Sequence, residues 1–185
     1  MSADALHVEV LGDTLACEER RPVAFVAGAV DAAAARAAWQ HGEGLLRALA
    51  VVEDSRGEEG EEHTPADLAV HRIEAKLDLL TAVVAALVRS RETQDPPHAL
   101  QWSARGARID AIAGAVDAGA HGLFRVQPAD WLPESLSLPA TVQSRDGDQL
   151  WLRFDPMPPT LAAALERHLF RIHRRAIAEL RRPRD

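Results

Sequence analysis

The strongest constraint on this chain is the row Val70, Ile73, Leu77, Leu80, Val84 and Leu87. Its steps of 3, 4, 3, 4 and 3 put all six residues on one stripe of an α-helix. That is a heptad seam, with Val70, Leu77 and Val84 at a positions and Ile73, Leu80 and Leu87 at d. Thr64-Pro65-Ala66-Asp67 opens the helix with a hydroxyl cap, a proline in the first turn and an acid at the positive end. "TQDPP" at 93–97 stops it, so the spacing predicts a helix over 64–91. Glu74 and Lys76 border the seam early, whereas Val83 and Val88 border it later. A seam that widens to four apolar positions per heptad suits a bundle of three or four helices. The chain is therefore expected to associate with copies of itself through this helix.

Around that helix the pattern changes twice. Residues 6–30 contain two β-type runs and end in a glycine-containing turn, so 1–30 is expected to be a strand region belonging to the β domain. Asp31 can cap an alanine-rich helix over 31–53 whose weak point is Gly42–Gly44. The acidic "SRGEEGEEH" at 55–63 carries too little apolar material to fold by itself and reads as a link. The helical region is thus 31–92. Beyond the prolines, short alternating segments at 99–105, 107–112, 122–127, 137–144 and 149–155 read as strands, with a hairpin at Asp146–Gly147. Leu150, Leu152 and Phe154 share one face of the last strand, and Trp151 and Arg153 the other. Pro158-Pro159-Thr160 leads into an amphipathic helix with Leu161, Leu165, Leu169, Ile172 and Ala176 along one stripe. The fold class is α+β: two long helices ahead of a small antiparallel β domain, 98–185, closed by a C-terminal helix.

Composition excludes several functions. With 28 acidic against 21 basic residues the formal net charge is −7, and residues 1–97 hold 18 acids against 9 bases. Such a chain repels phosphate backbones, so no DNA partner is expected. Cys17 is the sole cysteine, which fits a reducing cytoplasm. The first residues lack a signal-peptide pattern, and the longest apolar run, "LLTAVVAALV" at 79–88, is about half a bilayer span. A cytoplasmic protein without membrane insertion is expected. No nucleophile elbow, zinc motif, Walker loop or dinucleotide fingerprint occurs. His168 and His173 lie roughly 140° apart around a helix axis, too far to share an ion readily. The expectation is a non-enzymatic chain with no catalytic residues and no metal.

One stretch carries a more specific message. In "HALQWSARGARID" at 98–110, Gln101, Ser103, Arg105 and Gly106 surround the first hairpin of the β domain. Together with the terminal helix, this corner resembles the PilZ family, whose motif is Asp or Asn, any residue, Ser, two residues, Gly. The resemblance implies a six-stranded antiparallel β barrel and cyclic di-GMP as the usual ligand. It also implies an Arg-x-x-x-Arg element ahead of the motif, whose planar guanidiniums grip phosphates and guanines. None is found in a linker before Gln101, and Gln101 stands where the family has an acid or Asn. Arg171 and Arg175 have the spacing but follow the barrel.

The chain is similar to an atypical subgroup with degenerate nucleotide motifs and heptad helices that assemble as tetramers. What this similarity implies is an oligomeric, non-enzymatic signalling adaptor in a bacterial cyclic di-GMP-related pathway, with weak or no cyclic di-GMP binding and no other cofactor. It would meet protein partners, with Trp102, Trp131 and Trp151 as contact residues wherever they lie on the outer face. The alternative is a functional cyclic di-GMP receptor whose arginines come from Arg171 and Arg175 or from a neighbouring subunit.

Overall fold

The computed structural model of the chain describes residues 3–55, 73, 77, 84, 95–112 and 116–181. In chain order the elements are α1 (Ala3–Leu11), β1 (Cys17–Ala27), α2 (Ala32–Ser55), β2 (Pro97–Trp102), β3 (Gly106–Ile109), β4 (His121–Val126), β5 (Leu136–Asp146), β6 (Gln149–Phe154) and α3 (Pro159–Leu180). The six strands form a closed antiparallel barrel in the order β1-β2-β3-β6-β5-β4. Two long strands make closure possible. β1 pairs with β2 over Cys17–Pro22, then with β4 over Val23–Ala27. The changeover falls at a proline, which has no N–H to give to a ladder. β5 serves β4 with its first half and β6 with its second, bending at a bulge between Val142 and Ser144.

Alternation decides what fills the barrel. Leu100, Trp102, Ile109, Phe124, Val126, Leu138, Leu150 and Leu152 are all buried in one cluster. Trp102 lies opposite Ala107, and the ring of Phe124 meets Trp102 at 6.2 Å and Phe154 at 5.1 Å. The Trp102 indole N–H donates to Glu19 Oε1 at 2.8 Å, so the largest core side chain has its polar atom satisfied. Asp146-Gly147 turns the β5–β6 hairpin, with Gly147 at a φ of 60°.

The helices close the barrel from outside. α3 buries Leu161, Leu165, His168, Leu169 and Ile172. Ala176, expected on the same stripe, is exposed, because beyond Ile172 the helix becomes largely exposed. α2 starts where Asp31 Oδ1 accepts from the backbone N–H groups of Ala33 and Ala34 at 2.9 and 2.7 Å. It then packs on β5 and α3. Gly42 is a point of close approach, since a Cβ there would lie 2.8 Å from Leu136 Cδ1.

Three expectations are corrected. The 1–30 segment is not a strand region throughout, because Ala3–Leu11 is helical and only Cys17–Ala27 joins the barrel. Leu6, Val8 and Val10 alternate as in a strand, yet Leu6, Val10 and Leu11 also share a helix face, and burying that face against Trp151 is what prevails. The long helix α2 does not precede the barrel; it is inserted between its first and second strands. Trp102 and Trp151 are not surface contacts, being 0% and 2% exposed. Trp102 fills the barrel, and Trp151, on the outer face, is covered by α1.

The link at 55–63 and the seam residues Val70, Leu80 and Leu87 lie outside the described residues, Ser55 aside. Ile73, Leu77 and Val84 are described, each helical and each between 57% and 59% exposed.

Candidate functional site

The corner between β2 and β3 is built by Ser103 through Gly106. The Ser103 backbone N–H donates to the Gly106 carbonyl at 2.9 Å, and its hydroxyl accepts from the Arg105 N–H at 3.0 Å. These two bonds fold the turn back on itself and leave the hydroxyl one proton to place. It donates that proton to the Leu11 carbonyl at 3.0 Å, and Ser103 is wholly buried. Gly106 is required by proximity: a Cβ would collide with the Leu152 carbonyl oxygen and lie 2.7 Å from Val10 Cγ1.

The corner is therefore capped by the C-terminal end of α1. Gly12, at a φ of 69°, closes that helix by donating its N–H to the Val8 carbonyl at 3.1 Å. Thr14 Oγ1 donates to the same Leu11 carbonyl at 2.9 Å. The end of a helix that points carbonyls outward carries partial negative charge, so α1 presents to the corner the polarity that disfavours a phosphate. The Arg105 side chain lies over Gly12, where a Cβ would meet its Nη1 at 2.7 Å.

On the outer barrel face Gln101, Arg108 and Trp151 stand side by side across β2, β3 and β6. Arg108 places its guanidinium 5.7 Å from the Trp151 ring centroid and pairs with Asp110 at 3.0 Å. Gln101 Oε1 and Trp151 Nε1 are buried without a hydrogen-bond partner.

Arg171 and Arg175 sit on α3, one turn apart, and both are held by Glu53 of α2. Arg171 Nε lies 3.0 Å from Glu53 Oε2, and Arg175 Nη2 lies 2.7 Å from Oε1. The carboxylate is 9% exposed, so both its oxygens are spent in a largely enclosed joint between the helices. Nevertheless, Arg171 also reaches the corner's neighbourhood. A groove of about 600 Å³ runs between the two, lined by Thr14, Leu15 and Ala104 on one side and Glu166, Arg167, Leu169, Phe170 and Arg171 on the other.

Two buried groups bear on chemistry. The Cys17 thiol, which donates to the Leu169 carbonyl at 3.2 Å, is pushed up to about 11 by burial and by Glu19, so it stays protonated at neutral pH. His168 is fully buried, edge-on to Trp102 at 6.0 Å. Burial, with Arg171, Arg21 and Arg175 nearby, lowers it to about 3. The Pro128 carbonyl faces it and opposes that shift, but neither ring nitrogen has a hydrogen bond of ordinary geometry. Among the described residues no group of three or more His, Cys, Asp or Glu side chains could hold a metal ion, and no helix is long and apolar enough to cross a membrane.

The sequence singled out Ser103, Arg105, Gly106, Arg171 and Arg175, and the structure brings the corner and Arg171 to the two sides of one groove. Leu11 and Glu53, the groups that occupy Ser103 and the arginines, were not singled out. Neither belongs to a local pattern: Leu11 is 92 residues from Ser103, and Glu53 is 118 residues from Arg171.

Comparison with known proteins gives a consistent picture. The model of the atypical PilZ domain (tPilZ), described as a cyclic di-GMP receptor, matches residues 46–182. A crystal structure of a pathogenic protein from Xanthomonas campestris is similar at 45% identity and a TM-score of 0.79, covering 95% of this chain and 97% of that one. That protein is described as a new tetrameric PilZ domain self-assembled via an unusual helical bundle. No curated protein matches.

Proposed function

Because the chain belongs to the atypical PilZ domain family, we propose that it is a non-enzymatic, self-associating signalling adaptor in a cyclic di-GMP-related pathway, with weak or no affinity of its own for the nucleotide. The observation that carries this reading is that the binding groups are already used. Ser103 gives its hydroxyl proton to Leu11, and Glu53 takes both Arg171 and Arg175. A cyclic dinucleotide would have to break these contacts, and it would meet the negative end of α1 at the corner. The Gln101–Gly106 motif keeps its turn between strands, while among the described residues the Arg171–Arg175 pair is held by Glu53 rather than ready for phosphate.

Self-association through the 64–91 helix is the second half of the proposal. Ile73, Leu77 and Val84 hold two a positions and one d position of the seam, and all three are more than half exposed in the single chain. Apolar side chains repeated along one stripe are stable in water only when covered. The tetrameric, helical-bundle assembly of the Xanthomonas campestris protein supports a tetramer here. Assembly would present several copies of each partner-binding surface and so raise avidity. The proposed setting is the cytoplasm, with protein partners and no DNA.

The second reading is a receptor that takes its arginines from α3. It is favoured by the groove that has Ala104 of the corner and Arg171 on opposite sides. Calorimetric titration with cyclic di-GMP separates the two. The adaptor reading predicts no heat up to about 100 µM, near −5.5 kcal/mol on the affinity scale. Micromolar binding that Arg171→Ala or Arg175→Ala abolishes would replace it with the receptor reading.

A further inference from the structure

We propose that the groove between the β2–β3 corner and α3 is the partner-docking site of this adaptor, and that it receives an acidic protein segment anchored by a large apolar side chain. The inference rests on the adaptor reading and adds to it the place and chemistry of contact. The groove is made by the fold rather than by one element: Leu15 and Ala104 come from the two loops at the capped corner, Leu169 and Phe170 from α3. Its floor is apolar, and Phe170, 54% exposed, is the only exposed aromatic residue among those described. An exposed aromatic ring beside an open apolar groove is a common anchor geometry of a protein interface.

Charge selects the occupant. Arg167 and Arg171 line the groove, and Arg174 holds its guanidinium 6.0 Å from the centroid of the Phe170 ring. Glu166 is the only acid in the lining. Glu53 neutralises Arg171, but Arg167 and Arg174 have no ion pair among the described residues. In a chain of net charge −7, this edge is a local positive field beside an apolar slot. Acidic residues flanking an apolar anchor complement both features. A nucleotide does not fit as well. Glu166 in the lining would repel its phosphates, and the carbonyl end of α1 lies at the neighbouring corner. A second copy of this chain would bring the same arginines against themselves.

The test uses the full-length protein and a fluorescent amphipathic peptide of about four helical turns, with Leu and Phe on one face and Glu on the other. A twin peptide carries Lys in place of every Glu. Anisotropy is expected to rise with the Glu peptide and not with the Lys twin. Phe170→Glu and Arg167→Glu should each weaken the Glu peptide at least about tenfold. Val51→Glu, on exposed α2 surface, should leave it unchanged, and circular dichroism should show all three variants folded. Equal binding of both peptides, binding of neither, or binding indifferent to Phe170→Glu overturns the inference. A change of oligomeric mass in Phe170→Glu also overturns it, because the groove would then be a self-contact. Cyclic di-GMP is added in the same assay. If it binds at micromolar concentration, the adaptor reading itself fails; if it does not and neither peptide binds, only the docking proposal fails.

Discussion

The hydroxyl of Ser103 and the carbonyl of Leu11 lie 3.0 Å apart, and through that bond the N-terminal helix is fastened to the corner of the barrel. A residue that in a nucleotide-binding corner would face a ligand faces the chain's own backbone instead. Leu6, Val10 and Leu11 reinforce the bond by packing on Trp151, whose ring projects from the outer face of β6. The corner thus keeps its turn, with the Ser103 hydroxyl held by the chain's own backbone.

Ser103→Ala should therefore be a stability mutation. It leaves the Arg105 N–H without its acceptor and removes one of two donors to the Leu11 carbonyl. The expected loss is about 1–3 kcal/mol, read as a lower denaturant midpoint with the slope unchanged. Unchanged stability would mean that the bond does not hold α1.

Gly106→Ala should be worse, because the added methyl group collides with fixed backbone at the Leu152 carbonyl. A cost of about 3 kcal/mol or more is expected. Trp151 fluorescence should shift to the red as α1 is displaced and its indole meets water.

Glu53→Gln tests the joint between α2 and α3. It removes the charge that holds both Arg171 and Arg175. Because Arg175 is 54% exposed, solvent screens part of the interaction, and a loss of about 1–2 kcal/mol is expected. The loss should shrink in high salt. Freed arginines should still not confer nucleotide binding, since α1 continues to cap the corner.

Acid should weaken the fold through His168. Its ordinary value of 6.5 falls to about 3 in the folded chain, so the unfolded state binds more protons between those values. Its contribution is complete above pH 6.5 and is lost progressively as pH falls toward 3. At about 1.4 kcal/mol per pKa unit the linkage is several kcal/mol in size. His168→Leu, of similar volume, should flatten the profile of stability against pH over that window. A profile as steep as before would show that the carboxylates alone account for it.

Strands of the β domain were legible where they alternate, while their closure into a barrel followed only from the family resemblance. Leu150, Leu152 and Phe154 point inward as their spacing requires, and Gly147 turns the hairpin where an Asp-Gly pair stands. α1 was not legible as a helix, because Leu6, Val8 and Val10 fit a period of two as well as Leu6 and Val10 fit a helical turn. Only Trp151, far along the chain, decides between them. For the candidate site, the motif residues were visible, but their partners were not. Leu11 and Glu53 act through a backbone carbonyl and a long-range ion pair, and neither has a spacing to recognise. The sequence offers His168 only as an unsuitable metal partner of His173, whereas its burial against Trp102 depends on how α3 docks on the barrel.

Copies of this chain are proposed to join through an exposed apolar seam, leaving the barrels free for partners. Multi-angle light scattering on the wild type and on Leu77→Asp tests this most directly. The expected result is a wild-type mass of four times the 20.1 kDa chain and a folded monomer for Leu77→Asp, which places a charge at an a position. A wild-type monomer, or a Leu77→Asp protein with unchanged mass, would contradict it.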